Sequence, residues 1–240
     1  MKSTHSSTLT FLFIAFLFVS NLTYAQENCV GHIYAKGKKI LTLVEKYTES
    51  EGLVTKTMDY YSNEGKFIIG SKCVYSPITF KTYSYTFQDS RIEYKEGITL
   101  GKGNFTVENL KKGKEKSVKN FDDEGIWLTQ MAIVPFMHKN IPGLVEGKSY
   151  KITYPVPFLQ TSINVTISRS ADKKVNGVDC YGVKFEPNNW LFRLLTDASY
   201  VYFEKTAPHR FLYYSGILIP TDEKGNMMTG TVFFHFDEKK

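Results

Sequence analysis

Several spacings in this chain invite a chemical reading. The run GLVEGKS (143–149) approaches a phosphate-cradling loop. That loop needs four residues between its first glycine and Gly-Lys-Ser, and here there are three. One position earlier stands Pro142, which has no N–H to offer. The strand-like YKITY (150–154) follows, so no helix N-terminus is present to hold a phosphate, and the segment reads as a turn into a strand. GKGNFT (101–106) has two glycines of a dinucleotide fingerprint, lacks the third, and sits in no βαβ frame. There is no Gly-x-Ser-x-Gly nucleophile elbow. Cys180 and His209 could form a Cys–His pair, but Asp179 beside the thiol disfavours its ionisation. His32, His138, His209 and His235 are far apart, and no cysteine pair has zinc spacing. Neither a metal nor a cofactor is expected. Asp122-Asp123-Glu124 suits the electrostatics of a following helix start better than acid–base work. Carboxylates converging across a cleft would leave no local trace, so a secreted hydrolase stays as the third reading and the chain leans away from an enzyme.

The surrounding elements read mainly as β. In TYSYTF (82–87) Tyr83, Tyr85 and Phe87 alternate with Thr82, Ser84 and Thr86. SINVTISR (162–169), YKITY, GVKFEP (182–187), YVYFEK (200–205), RFLYYSGIL (210–218) and TVFFHF (231–236) add further strands, with the period of two expected of half-buried antiparallel strands. SNEGK (62–66), KEG (95–97), KVNG (174–177) and DEKGN (222–226) read as turns. A lysine-rich stretch, 108–125, reads as a solvated loop or hairpin tip.

Two segments break the rhythm. IWLTQMAIVPFMHKN (126–140) is uncharged from 126 to 137 and contains Pro135. A membrane-surface helix needs a charged face, so this run is expected to pack against the sheet. It reads as a short helix broken at Pro135, followed by a turn at 139–143. NNWLFRLLTD (188–197) suggests a second short helix capped by Asn188 or Asn189.

The first 25 residues read as a secretory signal peptide. LTFLFIAFLFV (9–19) is too short to span a bilayer, and Thr23 and Ala25 place the cut before Gln26. Residues 26–240 are then one β-rich domain in the periplasm or at the cell surface, with no transmembrane span. The formal charge is +6, yet only Arg91, Arg169, Arg193 and Arg210 are arginines. A scattered lysine surface suits anionic membrane or polysaccharide more than nucleic acid. Cys29, Cys73 and Cys180 are an odd number, and no essential disulfide is expected.

AIVPFMHKNIPGLVEGKSYKITYPV (132–156), VNGVDCYGVKFEP (175–187) and ASYVYFEKTAPHRFLYYSG (198–216) together resemble exported bacterial proteins of the domain of unknown function 3108 type. The plan is similar to the LolA, LolB and LppX-like lipoprotein-carrier half-barrels. This resemblance, over residues 30–216, implies a strongly curved antiparallel sheet, a half-barrel or open barrel, with one or two short helices on its concave side. It implies no catalytic residue. The leading expectation is an exported, non-catalytic protein that binds or shields a lipid or other acyl chain. Tyr83, Tyr85, Trp127, Met131, Phe136, Trp190 and Phe192 are the candidates for lining its groove. The alternative is a structural module with a filled core that contacts an envelope protein or polysaccharide. A cavity of roughly 300 Å³ or more would favour the carrier.

Overall fold

The computed structural model describes residues 28–195 and 198–236. The expected signal peptide, 1–25, lies outside them. Fourteen strands form one antiparallel sheet: β1 (Cys29–Ala35), β2 (Lys38–Ser50), β3 (Leu53–Tyr61), β4 (Phe67–Tyr75), β5 (Thr82–Asp89), β6 (Tyr94–Leu100), β7 (Asn104–Leu110), β8 (Ser117–Asp122), β9 (Tyr150–Val156), β10 (Thr161–Val175), β11 (Val178–Pro187), β12 (Ser199–Glu204), β13 (Phe211–Ile217) and β14 (Thr229–Phe236). Helices α1 (Gln130–Lys139) and α2 (Ile141–Val145) fill the β8–β9 connection, and α3 (Trp190–Leu195) lies between β11 and β12.

The spatial order is β8-β7-β6-β5-β4-β3-β2-β1-β14-β13-β12-β11-β10-β9. The chain therefore lays down two meanders that meet where β1 pairs with β14. The outermost strands, β8 and β9, do not pair, so the barrel is not closed. The β8–β9 connection draws the two edges together instead. Leu128 N–H donates to the Thr153 carbonyl (3.1 Å), and Thr153 N–H to that of Ile126 (2.8 Å). Asn109 on β7 reaches the Pro157 carbonyl (2.6 Å), and Lys119 on β8 the Gln160 carbonyl (3.1 Å). These links across the gap hold the sheet in its curve. The exposed β8 carries Lys119 and is flanked by Lys116, the kind of charge that discourages edge-to-edge pairing.

Local chemistry explains the turns and two departures from expectation. Asn176 and Gly177 both have positive φ (49° and 85°), which a tight hairpin of matching twist requires. KEG (95–97), by contrast, lies inside β6, and the turn falls at 90–93. In β5 the register slips opposite Val74 and Tyr75, so that Tyr75 faces Thr82 and Val74 faces Ser84. Tyr83 is the extra residue. Such a bulge reverses the alternation, turning Thr82 inward and Tyr83 outward, while Tyr85 and Phe87 keep the inward phase.

The apolar run forms α1 as expected, but the helix continues through Pro135 to Lys139. Proline removes only its own donation to the Met131 carbonyl. Burial of Met131, Ala132, Ile133, Phe136 and Met137 supplies the packing that keeps the last turn helical. The expected exit turn is instead the short helix α2, with Pro142 in its first turn, where a missing N–H costs nothing. Cys29, Cys73 and Cys180 are all buried and unbridged. Cys180 belongs to a small outer cluster with Val175 and Tyr213, separate from the main core.

Candidate functional site: an apolar cavity inside the sheet

In an antiparallel meander, alternate turns lie at the same end. The β4–β5 and β12–β13 turns and the start of β9 therefore share one end, and α1 closes it. Phe136 packs edge-on against Phe80 (5.6 Å) and Tyr150 (5.5 Å). The His138 ring nitrogen Nε2 is 2.6 Å from the Pro208 carbonyl, and the imidazole lies 5.7 Å from the Phe203 ring. Burial lowers the His138 pKa, so the ring is held neutral.

Beyond α1, towards the other end, is a cavity of about 700 Å³. Gln130, Ile133 and Val134 of α1 form its floor. Leu43, Met58, Val165, Val201, Phe211 and Phe234 contribute to its walls. Its mouth is built by the β5–β6, β7–β8, β9–β10, β11–β12 and β13–β14 connections. A separate depression of about 630 Å³ lies across β3–β7 and carries charges of both signs, among them Asp59, Lys72, Lys95 and Glu108.

Two groups centred on buried carboxylates interrupt the apolar lining. Lys56 Nζ is 2.9 Å from Glu45 Oε2, with side chains only 2% and 3% exposed. Tyr47 donates to the same oxygen at 2.8 Å. The second group centres on Glu96. Tyr85 OH donates to Oε1 at 2.9 Å and Tyr94 OH to Oε2 at 2.5 Å. Gln130 Nε2 donates to Tyr85 OH, and Tyr154 OH donates to Gln130 Oε1 at 3.2 Å. This chain ties α1 to β5 and β6 on one side and to β9 on the other. Burial raises the Glu96 pKa against the hydrogen bonds that lower it. Burial also pushes Tyr85 and Tyr154 well up, so both remain donors at neutral pH.

Of the seven groove candidates, Phe192 lines this cavity. Tyr85 sits just behind the wall, with its hydroxyl in the polar network. Trp127 stacks on Phe105 at 5.0 Å and packs beside Phe121. Met131 and Phe136 are buried away from the cavity (0% and 6% exposed). Tyr83 (42% exposed) and Trp190 (71% exposed) face outward, Tyr83 because of the β5 bulge. The charged pair Glu45–Lys56 and the carboxylate Glu96 were not anticipated. Their signal lay in phase: Lys56 occupies the inward position between Val54 and Met58, and Glu45 follows Leu41 and Leu43. The Cys180–His209 pairing has no support. Cys180 is buried in the outer cluster, and burial, then Glu204, Asp179 and Asp172, raise its pKa. Among the described residues no group of three or more His, Cys, Asp or Glu side chains is gathered as for a metal ion.

No protein-family model and no curated protein matches this sequence. Among solved structures it is similar to a β-barrel-like protein of domain of unknown function 1849 from Brucella abortus. The TM-score is 0.51 at 8% identity, covering 88% of this chain and 98% of that one. The fold is β-barrel-like. A Bacteroides fragilis protein with a YmcC-like fold aligns with a TM-score of 0.34 at 12% identity, over 89% of this chain and 95% of the other. No helix among the described residues is long and apolar enough to cross a membrane.

Proposed function

We propose that this is an exported, non-catalytic protein that holds an apolar ligand, a lipid or acyl chain, inside its curved sheet. The cavity carries the reading. Its volume, about 700 Å³, falls within the range of small-molecule sites, roughly 300–1,000 Å³, and its walls combine apolar side chains with a few placed polar groups, as such sites do. The alternative of a filled structural core fits less well, because α1 occupies one end of the interior and leaves the other open. The expected leader at 1–25 and the similarity in plan to lipoprotein-carrier half-barrels support export and an acyl ligand. The polar groups inside are engaged with one another: both Glu96 oxygens accept tyrosine hydroxyls. That suits a lining more than a nucleophile or base.

Native mass spectrometry and lipid extraction of protein expressed with its leader test this reading, together with titration of a fluorescent fatty acid. Co-purified lipid or saturable probe binding is expected. Val134→Trp, which projects an indole into the cavity floor, should abolish binding while leaving the thermal midpoint within a few degrees. Lipid-free protein that binds no probe refutes the proposal.

A further inference from the structure

The lining of the cavity is sorted by charge and by depth. Its exposed members are Lys111 and Lys112 from the β7–β8 turn, Phe158 and Leu159 from the β9–β10 turn, and Lys224 and Met227 from the β13–β14 loop. Three are apolar and three are cationic, and no exposed carboxylate belongs to the lining. Lys111 Nζ stands 4.0 Å over the Phe158 ring, so cation and apolar surface are interleaved at the mouth. Lys112 is paired with Glu93 at 2.6 Å, but both side chains are largely exposed (70% and 61%). A pair of that kind is worth little and is easily exchanged.

The depths are different. The single cation there, Lys56, is already neutralised by Glu45. Glu96 is a carboxyl group with both oxygens occupied. An anionic head carried inward would lose its hydration, meet no free positive charge and approach Glu45 and Glu96. An alkyl chain carried inward meets a mainly apolar wall, in which Glu45, Lys56 and Glu96 are already paired with protein groups.

From this sorting we infer that the ligand is an anionic amphiphile, an alkyl chain ending in a carboxylate or phosphate, which enters tail first and leaves its head at Lys111, Lys112 and Lys224. The inference rests on the proposed ligand-holding function and deepens it. Each exposed contact is weak, and three lysines acting together correspond to roughly a tenfold preference for the charged head.

Calorimetric titration of the full protein with dodecanoate, dodecanol and dodecylamine, below their aggregation concentrations, reads this directly. Dodecanoate should bind about tenfold tighter than dodecanol, and dodecylamine weakest. In Lys111→Glu/Lys112→Glu/Lys224→Glu, whose changes are all at exposed positions, dodecanol binding should persist while the dodecanoate advantage disappears. Alkyl phosphate against dodecanoate then distinguishes the two head chemistries. Equal binding of all three probes, or a dodecanoate preference that survives the triple substitution, overturns the head-group assignment and leaves the apolar container standing. Failure of all three probes to bind overturns the container as well.

Discussion

Replacing Lys56 by methionine tests whether the cavity wall depends on a compensated charge. The ammonium and the Glu45 carboxylate are 2.9 Å apart and almost fully shielded from solvent. At an effective dielectric of about 20 their attraction is about 6 kcal/mol, but desolvation costs several kcal/mol per ion and offsets much of that. The pair as a whole therefore adds little stability over an apolar pair of the same size. Deleting one member is another matter, because it leaves an uncompensated buried charge at about 3–5 kcal/mol. Tyr47 still donates to Glu45 at 2.8 Å, which places Lys56→Met near the lower end, about 3 kcal/mol. With a urea slope of about 2 kcal/mol/M, the midpoint should fall by about 1.5 M. Fluorescence of Trp127, buried against Phe105, reports the transition. Glu45→Met, which strands the ammonium instead, should also lose at least about 3 kcal/mol, and the double variant Glu45→Met/Lys56→Met should return to within about 1 kcal/mol of the parent or exceed it, a coupling of at least about 5 kcal/mol. A loss below about 1 kcal/mol for the single variant refutes the reasoning. So does a double variant that merely adds the two single losses.

Two further outcomes follow from the same interior. Because Glu96 has a raised pKa, the folded state holds its proton more tightly than the unfolded chain does. Stability should therefore decline as pH rises from the ordinary glutamate range, near 4.5, through the folded value, with a slope of at most about 1.4 kcal/mol per pH unit. Glu96→Gln should remove that component, and an unchanged pH profile of urea midpoints would contradict the assignment. The three cysteines should resist a thiol reagent in the native protein and all react in urea, since each is buried and burial pushes Cys73 up to about 11. Fast native reaction, or fewer than three thiols after unfolding, would show that this arrangement is wrong.

The fold was largely legible because half-buried strands write their faces into the sequence. From β9 onwards the alternation of Tyr150, Ile152 and Tyr154, or of Val201 and Phe203, marks strand and inward face together. The Asn176-Gly177 turn was equally plain, since its positive φ values restrict the residues allowed. Tyr83 was misplaced because a bulge is a property of two strands: the extra residue in β5 is defined only by its partners Val74 and Tyr75. Gly97 resembled a turn glycine, yet it sits in β6 where an added Cβ would stand 3.2 Å from the Glu108 side chain. That too is a demand made by a neighbouring strand. The polar lining was missed for a related reason. A lysine at an inward position reads as an error in the pattern until its partner, on the adjacent strand and eleven residues earlier, is recognised.

The same reasoning shows why the space lies where it does. Met131 and Phe136 were among the candidates for lining a groove. Those side chains instead secure α1 to the sheet: Met131 is fully buried, and Phe136 is wedged between Phe80 and Tyr150. The face left towards the cavity is the less apolar one, Gln130, Ile133 and Val134. Side chains from about eight strands suffice to fill a barrel interior, whereas this sheet has fourteen. A ten-residue helix is about 15 Å long and 10–12 Å across, while nine-residue strands such as β3 and β4 run about 30 Å. One helix therefore fills only part of the interior. The void follows from the mismatch between a wide sheet and a short insert, and it opens on the side of α1 that the sheet does not hold.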